Sequence, residues 1–126
     1  MPRTAIRVFR TAAGATPLTE WLDHLEKHEP RAFQKCLQRI ILLSQLGSEL
    51  RRPIVDMLRD GIRELRAKIG KVNYRMLFFF CGQNEVCLSH GITKEDKVPV
   101  AEIELALKRK RLVERNPGKH LADWEV

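Results

Sequence analysis

The stretch Ile62-Arg-Glu-Leu-Arg-Ala-Lys-Ile-Gly-Lys-Val-Asn-Tyr-Arg-Met-Leu-Phe-Phe-Phe-Cys-Gly-Gln-Asn-Glu-Val-Cys-Leu-Ser-His-Gly-Ile92 decides the fold. Leu65, Ala67 and Ile69 alternate with Glu64, Arg66 and Lys68, the pattern of a strand with one buried and one charged face. Gly70-Lys71 breaks it, and Val72 to Cys81 is apolar apart from Asn73 and Arg75. A run that apolar belongs in the middle of its sheet, with helices over one face. Gly82-Gln83-Asn84 makes the next turn before Glu85 to Ile92, so residues 62–92 read as an antiparallel three-stranded meander.

Outward from the meander the period changes. Ala5 to Phe9 alternates as a short strand, and a small-residue turn follows around Gly14. Thr16 stands as an N-cap with Pro17 at the first helical position, and Leu18, Trp21, Leu22 and Leu25 recur at helical spacing. Pro30 opens a second helix whose stripe is Phe33, Cys36, Leu37, Ile40 and Leu43, with Gly47 where a terminating glycine falls. So short a link pairs the two as a hairpin. A loop with Pro53 and Gly61 leads into the meander. Pro99 starts a last helix with Val100, Ile103, Ala106 and Leu107 inward.

The order β-α-α-β-β-β-α defines an α+β domain over residues 1–115, a helical hairpin on a mainly antiparallel sheet. Residues 116–126 are left as a flexible tail, in which Trp124 docks on the body or on a partner, the body being the plainer choice. One core suits a chain of 126 residues. No apolar run reaches membrane-spanning length, and the N-terminus lacks an export signal's apolar stretch, which points to the cytoplasm. Cys36, Cys81 and Cys87 are odd in number with no CxxC spacing, so they read as reduced, buried thiols rather than a disulfide framework or zinc site.

Charge gives the first functional direction. Lys and Arg number 23 against 16 Asp and Glu, a net charge of +7, and the pI is near 9.7. Such a bias suits a polyphosphate or an acidic protein partner. Phosphate-loop, HExxH and nucleophile-elbow signatures are absent. What remains is a concentration of cations at Arg59, Arg63, Arg66, Lys68, Lys71 and Arg75 against Asp60 and Glu64. His90, Lys94 and Lys97 follow at the end of the last strand, and Lys108-Arg109-Lys110-Arg111 ends the last helix. If the meander pairs, Arg66, Arg75 and His90 gather on its polar face, although the apolar flanks of Arg75 leave its facing open.

Four pieces of the chain together resemble the HigB-like, phage-derived branch of the RelE/ParE toxin superfamily. They are Gly61-Ile-Arg-Glu-Leu-Arg66, Val72-Asn-Tyr-Arg75-Met-Leu-Phe-Phe-Phe80, Val86-Cys-Leu-Ser-His90-Gly-Ile-Thr-Lys94, and Pro99 with Glu102, Ile103 and Ala106. They stand in the order and spacing of that family's W-E-L-R, Y-R-x-x-F, L-x-H-G-F-x-K-K and P-x-x-E-I-x-x-A, over about residues 5–115. The resemblance implies a microbial-RNase-like sheet, inhibition by a cognate antitoxin, and cutting of mRNA in the ribosomal A site. It implies no cofactor and no metal. Arg66, Arg75, His90 and Lys94 fall on family site positions, and Lys97 on the basic position before the helix. Two departures stand out: Ile92 replaces the usual Phe, and Thr93 the first lysine.

Metal-free RNA cleavage needs a proton acceptor for the 2′-hydroxyl, cations for the phosphorane and an acid for the leaving 5′-oxygen. Arg66 and Arg75 suit the phosphate. His90 suits proton transfer, with Lys94 as helper and Lys68 or Glu64 as alternatives. Arg63, Lys68, Lys71, Lys97 and Lys108 to Arg111 are the candidate contacts to RNA and ribosome. Tyr74, next to Arg75, is expected in the core. The competing expectation is a non-catalytic, ParE-like toxin that inhibits DNA gyrase. No helix-turn-helix appears, which places DNA binding with the antitoxin.

Overall fold

The computed structural model describes residues 3–93 and 96–124. β1 (Ala5–Phe9) leads into α1 (Pro17–His28) and α2 (Pro30–Leu46), joined by the single residue Glu29. A 3-10 turn over Gly47–Glu49 precedes β2 (Val55–Arg59), β3 (Ile62–Ile69), β4 (Val72–Gly82) and β5 (Glu85–Thr93). Then come α3 (Val100–Arg115), α4 (Pro117–His120) and β6 (Leu121–Asp123). The strands form one six-stranded sheet in the order β2-β3-β4-β5-β1-β6. β1 runs parallel to β5, and the other neighbours are antiparallel. The expected α+β architecture, with its hairpin on a mainly antiparallel sheet, is the one observed.

β4 explains the apolar run at its centre. Tyr74, Met76 and Phe78 point to one face, where they meet Leu18, Leu22 and Leu25 of α1 and Cys36, Ile40 and Leu43 of α2. Leu77 and Phe79 point to the other, where they meet Ala106, Leu107 and Val113 of α3. The sheet is therefore covered on both faces, not one as its sequence suggests. A strand buried on both sides loses the polar half of its alternation. Each fully buried Phe or Leu contributes about 1.5–3 kcal/mol of burial energy to this arrangement. Tyr74 is in the core, and its hydroxyl donates to Glu29 Oε1 at 2.5 Å, tying the α1–α2 junction to the sheet. Burial, with the Glu29 carboxylate, pushes the phenol up to about 12.

Three elements depart from the sequence reading. The loop before the meander contains β2, which pairs with β3 in a hairpin closed by Asp60 and Gly61, both at positive φ. Val-Asp-Met-Leu-Arg carries little alternation of its own; β3 supplies the pairing. Residues 117–123, left as tail by the sequence, hold α4 and β6, and β6 pairs with β1 from Arg7 opposite Asp123 to Phe9 opposite Leu121. His120 is buried there, stacked on Phe9 with centroids 5.4 Å apart and its Nδ1 2.8 Å from the Arg10 carbonyl oxygen. Finally, Pro99 stands one residue outside α3 as its N-cap.

All three cysteines are free, and burial pushes the Cys36 and Cys81 thiols up to about 12 and Cys87 higher still. Among the described residues no helix is long and apolar enough to cross a membrane.

Candidate active site

α3 covers only part of the second face. On that face Arg66 of β3 stands directly opposite Arg75 of β4, so the facing of Arg75 left open by its neighbours is fixed by register. Between them lies Glu64, two residues before Arg66 and 1% exposed. Its Oε1 accepts from Arg66 Nε at 2.9 Å, from Arg66 Nη2, and from Arg75 Nη1 at 2.9 Å; Oε2 accepts from Arg75 Nη1 at 3.2 Å. Arg75 also donates from Nη2 to the Asp96 carbonyl at 2.7 Å, and the residue is 5% exposed. A carboxylate this buried is tolerable because two guanidiniums surround it, and it holds both in one geometry. Arg66 remains partly open, its side chain 28% exposed. Asp56 Oδ2 stands 3.9 Å away, its carboxyl held low chiefly by the Arg52 hydrogen bond. Arg66 is the accessible guanidinium of the set, with Arg75 and Glu64 behind it.

His90 shares that face, as expected, but one row over and enclosed. Leu77 faces His90 while Phe78 faces Leu88, so Ser89 is an extra residue in β5, a bulge. Without it, His90 would continue the Val86 and Leu88 side, toward the helical hairpin. The bulge turns it to the second face but one row from Arg75, whose partner is Ile92. There α3 closes over it. Nδ1 is 2.7 Å from Ser89 Oγ, Nε2 is 3.6 Å from Glu102 Oε2, and the residue is 7% exposed. Burial, reinforced by the Arg109 cation, pushes the imidazole down to about 4. The Glu102 carboxylate pulls the opposite way, but its side chain is 32% exposed and burial outweighs it. His90 is a neutral, enclosed imidazole near neutral pH. Lys94 lies outside the described residues.

The candidate binding cations divide into two groups. Lys68, Lys71, Lys97, Lys108 and Arg111 are exposed. The other three are engaged. Arg63 lies over the Phe80 ring at 4.8 Å, on the opposite face from Arg66, and burial lowers its pKa. Arg109 lies over the Phe9 ring at 4.9 Å and donates to the Ser89 carbonyl at 3.2 Å. Lys110 donates to the Asp60 carbonyl at 3.1 Å, pinning the β2–β3 turn.

Two neighbouring residues in the family motif have packing explanations. The Trp21 indole lies against Gly91, where a Cβ would sit 2.2 Å from Cδ2, and its Nε1 donates to Thr93 Oγ1 at 3.2 Å. Thr93 thus supports the indole where the family usually has lysine. Nothing in the sequence singles out Arg39. This α2 residue, read as part of a packing helix, donates Nε to the Arg66 carbonyl at 3.2 Å.

The fold and site define a small basic α+β protein with a buried carboxylate gripped by two arginines, one of them partly exposed. Comparison with known proteins makes the class specific. Residues 20–111 match the family described as Phage derived protein Gp49-like (DUF891). Two Mycobacterium tuberculosis proteins, from strains CDC 1551 / Oshkosh and ATCC 25618 / H37Rv, are each named Probable endoribonuclease HigB1. Each is 30% identical over 113 residues, covering 89% of this chain and 86% of the relative. The chain belongs to this Gp49-like family, the HigB-like branch of toxins that its sequence resembles.

Proposed function

We propose that this chain is the toxin of a type II toxin–antitoxin pair, an mRNA endoribonuclease that works without metal in the ribosomal A site. A cognate antitoxin restrains it. The observation that carries the reading is the open Arg66, braced through Glu64 by Arg75, in a relative of proteins named as probable endoribonucleases.

The 2′-oxygen attacks phosphorus, a P–O2′ bond forms and the P–O5′ bond breaks. Arg66 holds the non-bridging oxygens, where negative charge grows, and a prepositioned guanidinium stabilises that charge without reorganising. Arg75 is a positioning residue, since its contacts run to Glu64 and the Asp96 carbonyl. Transfer of the proton from the 2′-hydroxyl and on to the leaving 5′-oxygen is assigned to Lys94, which follows by two residues the Ile92 that faces Arg75. His90, enclosed and weakly basic, supports the β5–α3 packing instead.

The test is induction from a tightly repressed promoter, comparing the chain with Arg66→Ala and Lys94→Ala and mapping new 5′ ends on cellular mRNA. New ends in phase with codons that disappear in both variants are expected. Growth arrest without new ends, unchanged by either substitution, overturns the nuclease reading and favours gyrase inhibition.

A further inference from the structure

β2 begins only after Pro53, which has no N–H to extend a ladder. The last rung on that side is the Arg66 N–H to the Ile54 carbonyl at 2.7 Å, and β2 covers nothing of β3 beyond it. The open edge is a cleft of about 270 Å³ lined by Arg39, Pro53, Ile54, Arg66, Lys68 and Asn73. Arg39 reaches it from α2, on the far face of the sheet, and Lys68 from β3 opposite Asn73. Three of the six lining residues are cations and none is acidic.

Arg66 is paired with Glu64, but the other two cations are uncommitted. Arg39 uses Nε on the Arg66 carbonyl, while among the described residues its two amino groups and the Lys68 ammonium have no hydrogen bond or ion pair. With Arg66 already facing Glu64 and Asp56, Arg39 and Lys68 are the two cleft cations whose charge an entering anion would meet. The cleft lies just below the roughly 300 Å³ at which small-molecule pockets begin, room for a phosphodiester and its sugar.

We propose that this edge cleft is a second phosphate subsite, in which Arg39 and Lys68 hold the RNA phosphodiester next to the one on Arg66. The proposal rests on the nuclease reading for the identity of the strand. Its consequence is register: two held phosphates set which bond meets Arg66, so Arg39 and Lys68 place the substrate.

The experiment measures binding of the full chain to short 2′-O-methyl RNA strands, which resist cleavage, each with one neutral methylphosphonate linkage at a successive position. Removing one charge-assisted hydrogen bond weakens binding about tenfold. The unaltered chain is expected to show that weakening at two adjacent linkages. Arg39→Gln and Lys68→Gln each bind about tenfold more weakly and no longer respond to one of the two linkages, while Arg66→Gln stops responding to the other. Each cleft variant also lowers the salt slope by about 0.7, the value for one neutralised phosphate on a single strand. Arg39→Lys restores part of the affinity.

If Arg39 serves only to cap the sheet edge, Lys68→Gln binds like the unaltered chain, and the subsite is overturned. Uniform weakening at every linkage, or no binding by the unaltered chain, overturns it equally. Cleavage of ordinary mRNA on ribosomes is read separately. Absence of cutting with the linkage pattern intact removes the nuclease reading and leaves the subsite standing.

Discussion

Two polar sets on the sheet's second face, on either side of Leu77, use the same chemistry to opposite effect: the open end is the β3–β4 side and the closed end the β5 side. At the open end Arg66, Glu64 and Arg75 form an ion-paired set with one guanidinium facing outward. At the other, Ser89, His90, Glu102 and Arg109 form a polar set of similar size roofed by α3. What separates them is coverage. α3 packs on Leu77, Phe79 and Cys87 and encloses His90, whereas the Arg66 side chain stays 28% exposed. Arginine, carboxylate and histidine become accessible or enclosed according to what packs over them.

Removing the hub of the open end is expected to have the largest effect. Glu64→Ala leaves buried Arg75 without its carboxylate, and breaking such a pair costs about 3–5 kcal/mol. Urea unfolding should show that destabilisation in the midpoint at unchanged slope. A change below about 1 kcal/mol would mean that the carboxylate is not the hub. Next comes Arg66→Ala, expected to cut cleavage on programmed ribosomes by about 100-fold, near 2.7 kcal/mol, and to destabilise the chain less than Glu64→Ala, because Arg75 still holds the carboxylate. Equal activity would move the phosphate ligand elsewhere.

The meander and the sharing of a face by Glu64, Arg66 and Lys68 were legible because alternation is local. That Arg66 and Arg75 meet followed from a short hairpin around Gly70. The surroundings of His90 were not legible. It does share the expected face with Arg66 and Arg75, but through a one-residue bulge that leaves no local mark and reverses it from the Val86 and Leu88 side. Nor did sequence reveal that α3 lands on His90, that β6 pairs with β1 across the length of the chain, or that Arg39 turns around the sheet edge. Each depends on partners distant in sequence.

The closed end has its own pH signature. Unfolded His90 takes up a proton as pH falls through about 6.5, whereas the folded residue resists until about 4. The unfolded state therefore binds more protons in that window, and stability is full above it and lost as pH falls through it. Between about pH 7.5 and pH 5 the loss from this group is about 2 kcal/mol. His90→Asn should flatten that part of the stability profile, measured by urea midpoints at both pH values. An unchanged profile would show that solvent reaches the ring and α3 does not seal it.

The basic run on α3 offers the mildest and sharpest contrast, because adjacent cations fall on opposite sides of the same division. Arg109 is wedged between Phe9 and Ser89, whereas Lys108 and Arg111 are exposed. Lys108→Ala with Arg111→Ala should therefore leave stability within about 0.5 kcal/mol, as surface changes do. If this helix end meets ribosomal RNA, the salt slope of ribosome binding falls by about 0.7–0.9 for each phosphate no longer neutralised. Arg109→Ala should do the reverse, lowering the urea midpoint while changing the slope little, since its charge already faces protein. A slope change for Arg109→Ala as large as for its neighbours would show that α3 lifts when the ribosome binds, making the division between open and closed ends a property of the free chain.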